Sequence, residues 1–122
     1  MSLLCSAFPS SDGICVNTGE VKISTKPLTT SFVNTCTAIG FKFRNNNFLA
    51  HIDVMNPNME NITSEALSKV DISEVKLVNV WKGSKCKNEC PSYILALKFL
   101  KQFNKEIIHH KSVRDISIIK VT

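Results

Sequence analysis

The chain lacks long hydrophobic runs, and none approaches the ~18 consecutive apolar residues that a membrane-spanning helix needs. Glycine and proline are scarce, with four of each in 122 residues. No segment is compositionally biased either, which excludes collagen-like, low-complexity and disordered chains. Residues 1–11 lack the basic start and apolar stretch of a secretory signal. We therefore expect a cytoplasmic protein without membrane association that folds as a single domain over residues 1–122.

Arginine is rare although the chain is basic. The net charge is +5, but only Arg44 and Arg114 among the fifteen basic residues are arginine. Bidentate contacts to phosphates and bases favour Arg over Lys. The lysines are also spread along the chain, which predicts a solvated surface and no nucleic-acid partner. Weak nucleic-acid binding stays a minor alternative that rests on charge alone, and a steep salt dependence would be its sign.

The five cysteines are an odd set, whereas a secreted disulfide framework usually has an even count. Cys86 and Cys90 have a C-x3-C spacing that zinc tolerates, but no second pair matches it. His109 and His110 are neighbours in a predicted strand, so they point to opposite faces and do not easily ligate together. We predict free thiols at Cys86 and Cys90 and no metal site. The odd count leaves room for a nucleophilic thiol.

Strand patterns outnumber helix patterns in this sequence. The predicted strands cover residues 14–17, 20–24, 37–43, 48–54, 74–81, 106–110 and 115–121, and residues 28–35 are predicted as a loop. Ile62, Ala66, Leu67 and Val70 have helical spacing, and a second amphipathic helix is predicted over residues 91–104. Each helix must cover a sheet face. The predicted fold class is α+β, a layered sandwich of mixed β-sheet with two helices.

The three asparagines at positions 45–47 predict the turn of a β-hairpin. A turn centred near the first two places His51 opposite about Gly40. Cys36 would then lie four residues further along, ~13 Å away at the rise of a strand. Strand pairing therefore does not bring Cys36 to His51 unless the turn is shifted or the chain bends back.

Cys36 and His51 nevertheless form the combination on which a chemical hypothesis can rest. Cys36 follows a polar loop at the start of a strand, and His51 lies in an otherwise apolar strand. A thiol attacks as a thiolate, so it needs a base, and the base needs a third group to fix its tautomer. An imidazolium beside the sulfur would lower the thiol pKa below ~8.5. Taken singly, a cysteine beside a strand is usually a packing residue, and a histidine in a strand is usually a satisfied core or surface residue.

Four segments of the chain resemble the chemoreceptor glutamine deamidases (the CheD family): residues 19–24 (GEVKIS), 27–28 (PL), 30–39 (TSFVNTCTAI) and 50–52 (AHI). In that family a Thr stands six residues before the Cys, and a Met-x-His strand follows. The later elements also keep the family's order, so the resemblance covers most of the chain from about residue 14. The Cys–His pair is similar to that of cytotoxic necrotizing factor toxins, and His51-Ile52-Asp53 resembles the His-x-Asp of N-terminal asparagine amidohydrolases.

This resemblance implies a cysteine-dependent amidohydrolase with a CheD-like fold, which deamidates a glutamine or asparagine side chain of a protein and releases ammonia. Cys36 would be the nucleophile, His51 the general base and then acid, and Thr30 the residue that orients the imidazole. Backbone N–H groups near Cys36 would hold the oxyanion, with a side-chain contribution from Asn34 or Thr35. The substrate would be a protein, and no metal or cofactor would be required.

The sequence departs from the family pattern directly before the cysteine. Asn34-Thr35 replaces the family's Gly-Ser, and a glycine pair near the family's C-terminus is missing around residues 110–113. These changes suggest a divergent member that acts on something other than a chemoreceptor. The alternative is a catalytically inactive module of the same fold that binds a protein partner.

Overall fold

The computed structural model describes residues 13–30, 33–86, 90–103, 105–110 and 119–121. The strands are β1 (Ile14–Cys15), β2 (Val21–Ser24), β3 (Leu28–Thr30), β4 (Thr37–Phe43), β5 (Asn46–Ile52), β6 (Val75–Lys82), β7 (Glu106–His109) and β8 (Ile119–Val121). The helices are α1 (Met59–Ser68) and α2 (Pro91–Leu100), and a short 3-10 helix (Ile72–Glu74) precedes β6. The strands form a five-stranded sheet in the order β2-β5-β4-β6-β7 and a three-stranded sheet in the order β1-β3-β8. The predicted α+β class is confirmed.

The five-stranded sheet separates two apolar clusters. Side chains alternate between the faces of a strand, so β4 and β5 contribute to both. On one face, Phe41 and Phe48 pack with Phe99 of α2 in the main core. The opposite face packs against the three-stranded sheet, in a cluster of Val16, Leu28, Val33, Cys36, Ala38, Leu49 and Val121. Cys36 therefore lies between the two sheets.

The turn of the β4–β5 hairpin lies one residue earlier than predicted. Phe43 pairs with Asn46, so Arg44 and Asn45 form the two-residue loop, and Arg44 has φ 53°. A positive φ at the first central residue is the feature of a type II′ turn, which suits the twist of a hairpin. A turn that lies one residue earlier shifts the cross-strand partner of each residue by two positions. Because side chains alternate with a period of two, every side chain stays on the same face of the sheet. The hydrophobic pattern alone therefore cannot distinguish the two registers.

Two predicted segments need the largest corrections, and a third lies partly outside the described residues. Residues 28–35 are not all loop, because Leu28–Thr30 form β3 between β1 and β8. α2 ends at Leu100 rather than at 104. Of the predicted strand over 115–121, Ile119–Val121 is a strand and residues 115–118 lie outside the described residues. Within the described ranges, no helix is both long and apolar enough to cross a membrane.

Candidate active site

The observed register brings His51 closer to Cys36 than the predicted one does. His51 pairs with Ala38, which is two residues from Cys36 rather than four. Cys36 packs in the same cluster as Ala38, so it faces the same side of the sheet as His51. Diagonal neighbours of this kind have Cβ atoms about 7–8 Å apart or less. Both side chains are buried, with 6% of Cys36 and 0% of His51 exposed.

Thr30 fixes the tautomer of His51. Its hydroxyl group donates to the Val16 carbonyl oxygen at 2.6 Å and lies 2.7 Å from His51 Nδ1. A hydroxyl has one proton, so Thr30 Oγ1 must accept the second hydrogen bond from Nδ1–H. The lone pair of the neutral imidazole is then on Nε2. Thr30, which β3 carries from the smaller sheet, thus prepares His51 to accept a proton at Nε2.

His51 Nε2 is buried, and no described residue hydrogen-bonds to it. The predicted hydrogen bond between Cys36 Sγ and the imidazole is therefore not formed, since Nδ1 is bonded to Thr30. Leaving a buried acceptor unpaired costs free energy, and such atoms in native proteins call for an explanation such as a catalytic role. Catalytic hydrogen bonds are often absent without substrate and tighten when it binds.

The two reactive groups are both neutral at rest. Burial, and to a smaller extent the charge of Asp53, raise the pKa of Cys36 from 9.0 to about 12, although a hydrogen bond from the Thr35 side chain opposes the shift. Burial lowers the pKa of His51 from 6.5 to about 4, against the opposite influence of Asp53. The predicted thiolate–imidazolium pair is therefore wrong. The resting pair is a thiol and a neutral imidazole.

Asp53 is a residue that the candidate site adds to the predicted set. Its carboxylate acts on the pKa of both Cys36 and His51, and it accepts a hydrogen bond from Met55 N at 3.0 Å. A negative charge there stabilises an imidazolium that forms when His51 takes a proton. The signal for Asp53 in the sequence is the His-x-Asp spacing, which indicates a role for it only through the resemblance to N-terminal asparagine amidohydrolases.

The pKa of His51 predicts how stability depends on pH. The unfolded chain binds a proton at this histidine near pH 6.5, whereas the folded chain does so only near pH 4. The free energy of unfolding should therefore fall as the pH drops from 6.5 to 4, by about 3 kcal/mol for the full shift. Urea unfolding across this range measures the loss. His51→Asn should lack it, and an equal pH dependence in both proteins would contradict the assignment.

A neighbouring segment holds the backbone around Cys36. Gly83 N donates to the Cys36 carbonyl and Lys85 N to the Asn34 carbonyl, each at 3.0 Å. Ser92 Oγ donates to the Thr35 carbonyl at 2.9 Å. Three successive carbonyls are therefore fixed, and no described residue accepts a hydrogen bond from the N–H of Thr35 or Cys36. An oxyanion role for these two N–H groups stays a prediction.

The side chains of Asn34 and Thr35 occupy different environments. Asn34 Oδ1 is buried and has no hydrogen-bond partner among the described residues. It is an acceptor, so only the amide nitrogen of Asn34 can assist an oxyanion. Thr35 is exposed, and its hydroxyl hydrogen-bonds to Cys36. An oxyanion role for either side chain stays a prediction.

Cys86 and Cys90 are not free thiols, because they form a disulfide. Their Cα atoms lie 5.2 Å apart, within the range that a disulfide bridges. The turn after β6 and the start of α2 at Pro91 bring them together, and neither feature is visible in the C-x3-C spacing itself. Cys15 is also disulfide-bonded, and Cys36 is the one free cysteine in the described part of the chain.

In the described ranges, no group of three or more His, Cys, Asp or Glu side chains could hold a metal ion.

Comparison with protein-family models and with curated proteins finds no match for the chain. The resemblance to glutamine deamidases stays a prediction. Function is therefore inferred from the geometry of Cys36, His51 and Thr30.

Proposed function

We propose that the protein is a cysteine-dependent amidohydrolase that deamidates a glutamine or asparagine side chain of a protein and releases ammonia. The observation that carries the proposal is the state of His51. Thr30 holds the imidazole in the tautomer with Nδ1–H, and the basic Nε2 is buried and unpaired on the sheet face that Cys36 shares. A thiol that is neutral at rest needs a neighbouring base to take its proton, and Nε2 of His51 is the atom proposed to do so.

In the proposed reaction, Cys36 Sγ attacks the carboxamide carbon while His51 Nε2 takes the thiol proton. The N–H groups of Thr35 and Cys36 bind the oxyanion of the tetrahedral intermediate, and Asp53 stabilises the imidazolium. His51 then gives its proton to the leaving nitrogen, so ammonia departs and a thioester remains. A water molecule, deprotonated by His51, hydrolyses the thioester to the carboxylic acid and restores the thiol. No metal or cofactor takes part.

A groove of about 670 Å³ supports a polypeptide substrate. Its lining includes Lys42, Lys76, Trp81 and His110, and Trp81 pairs with Ala38, the residue opposite His51. The groove therefore begins one strand away from the site. The Trp81 and His110 rings stack at 4.7 Å, which gives it an aromatic wall beside two lysines. Such a wall suits an extended segment with polar or acidic side chains.

The alternative is an inactive module that keeps this fold to bind a protein. The raised pKa of Cys36 and the missing hydrogen bond to His51 favour it, since a neutral thiol alone is a poor nucleophile. The two proposals differ in whether a thioester forms at Cys36.

The test uses the wild-type protein and a library of glutamine- and asparagine-containing peptides. We expect ammonia release, and we expect added hydroxylamine to intercept the thioester and yield the peptide hydroxamate. Cys36→Ala is the blank and should form neither product while its circular dichroism matches that of the wild type. Peptides that bind without ammonia or hydroxamate would overturn the amidohydrolase and support the binding module.

We place the protein in the cytoplasm as part of the same proposal. Cellular dithiols there can reduce disulfides, so cytosolic disulfides are usually transient, catalytic or redox-sensing. The Cys86–Cys90 disulfide lies against the backbone of the Cys36 segment, with Cys90 Sγ 3.3 Å from the Thr35 carbonyl oxygen. The redox state of the compartment therefore bears directly on the site.

A further inference from the structure

Ser92 connects the first turn of α2 to the Cys36 segment. It is 1% exposed, and its Oγ donates to the Thr35 carbonyl oxygen at 2.9 Å. Thr37 Oγ1 lies 3.1 Å from the same hydroxyl. Because Ser92 has already given its single proton to Thr35, the Thr37 hydroxyl is the donor in this second bond. Ser92 is therefore hydrogen-bonded to the residue before Cys36 and to the residue after it.

The Thr35 carbonyl and the Cys36 N–H belong to one peptide group. A trans peptide is planar, so its C=O and N–H point in opposite directions. The hydrogen bond from Ser92 fixes the carbonyl and thereby fixes the direction of the Cys36 N–H. That N–H is the donor that an oxyanion on the carbon attacked by Cys36 would meet.

The disulfide restrains the segment that delivers Ser92. Cys90 directly precedes Pro91, the first residue of α2, and Cys86 N donates to the Gly83 carbonyl at 3.0 Å. Gly83 in turn donates to the Cys36 carbonyl. The Cys86–Cys90 bond therefore joins the turn that holds the Cys36 carbonyl to the helix start that holds the Thr35 carbonyl.

We propose that Ser92 is a positioning residue that aims the Cys36 N–H at the oxyanion, and that the Cys86–Cys90 disulfide keeps it in place, so that reduction slows turnover. This inference rests on the proposed amidohydrolase function. The reductant is a dithiol: the S–S bond breaks, each sulfur gains one electron and one proton, and the dithiol is oxidised to a disulfide. Thiol–disulfide exchange with an oxidised dithiol, which is itself reduced, restores the bond and the activity.

The first arm of the test compares Ser92→Ala with Ser84→Ala, an exposed serine on the same segment. Ser92→Ala should lower kcat by up to about 100-fold and leave KM unchanged, because the lost interaction serves the transition state. The amide signal of Cys36 in a ¹H–¹⁵N spectrum should shift. Ser84→Ala should change neither quantity.

The second arm adds dithiothreitol to the wild type and to Cys15→Ser. Both proteins contain the Cys86–Cys90 bond before dithiothreitol is added. Its reduction should therefore lower turnover and cause the same shift of the Cys36 amide signal in each. The double variant Cys86→Ala/Cys90→Ala should start at the lowered rate and not respond to dithiothreitol. Sensitivity that is absent in Cys15→Ser would assign the effect to the other disulfide and overturn the proposal.

The experiments distinguish a failure of the amidohydrolase from a failure of the role of Ser92. If the wild type releases no ammonia but the Cys36 amide signal moves in Ser92→Ala and on reduction, the amidohydrolase is wrong and the positioning of this N–H is correct. If the wild type is active and neither Ser92→Ala nor dithiothreitol changes kcat or the Cys36 amide signal, the role of Ser92 is overturned and the amidohydrolase stands.

Discussion

His51→Asn is expected to lower kcat/KM for amide hydrolysis by about 10⁴-fold, because the variant loses both the general base and the general acid. The Asn amide nitrogen can still donate to Thr30, as Nδ1–H does in the wild type, so the hydrogen bond between the sheets is kept. The wild-type kcat/KM should rise through about pH 4, where His51 loses its proton, and then stay level towards neutral pH. Initial rates of ammonia release between pH 3.5 and pH 10 measure both effects.

The residual activity of His51→Asn provides a sharper check. Without the base, only the Cys36 thiolate can attack, and its fraction is small below the thiol pKa of about 12. The residual rate should therefore rise about tenfold per pH unit in the alkaline range. His109→Asn is the matched control at an exposed histidine that does not line the groove, and it should keep the wild-type profile. A variant rate within tenfold of the wild type at neutral pH would remove His51 from the mechanism.

The fold could largely be predicted because its long elements have clear local signals. The content of β-forming and apolar residues predicts β4 and β6 within a residue or two, and helical spacing predicts the first turns of α2. β3 was missed because Leu28–Thr30 is only three residues long and reads as polar. Its threonines are β-branched, however, and suit a strand that is buried on both sides.

The site could be predicted only in part. Its candidate residues can be recognised from short sequence motifs, but the distance between them depends on the position of one hairpin turn. Both hairpin registers bury Phe41 and Phe48, and only the observed one stacks their rings, at 4.4 Å. That register is what brings His51 near Cys36. The neutral state of the pair depends on burial between the sheets, which spacing along the chain does not reveal. The structure places the Thr30 hydroxyl 2.7 Å from His51 Nδ1, and the role of Thr30 in catalysis stays a prediction.

Gly83→Ala is expected to destabilise the fold by about 3 kcal/mol, a large effect for one methyl group. A Cβ atom at Gly83 would overlap the carbonyl oxygen of Asn34 and lie 2.5 Å from that of Val33. Both obstacles are backbone atoms, so no side-chain rotation can relieve them. The backbone of Gly83 is not in the left-handed region, so the cost comes from lack of space rather than from the torsion angles.

The displaced segment is the one that holds Cys36, so the variant should also expose the thiol. In the wild type Cys36 is 6% exposed and should react slowly with a thiol reagent, whereas Gly83→Ala should react at least tenfold faster under native conditions. Ser84→Ala changes the adjacent exposed position and should stay within about 0.5 kcal/mol of the wild type. Urea unfolding and the labelling rate of Cys36 measure the two effects. An unchanged stability in Gly83→Ala would mean that the close approach of Gly83 to Asn34 is wrong, and with it the backbone support of the candidate oxyanion site.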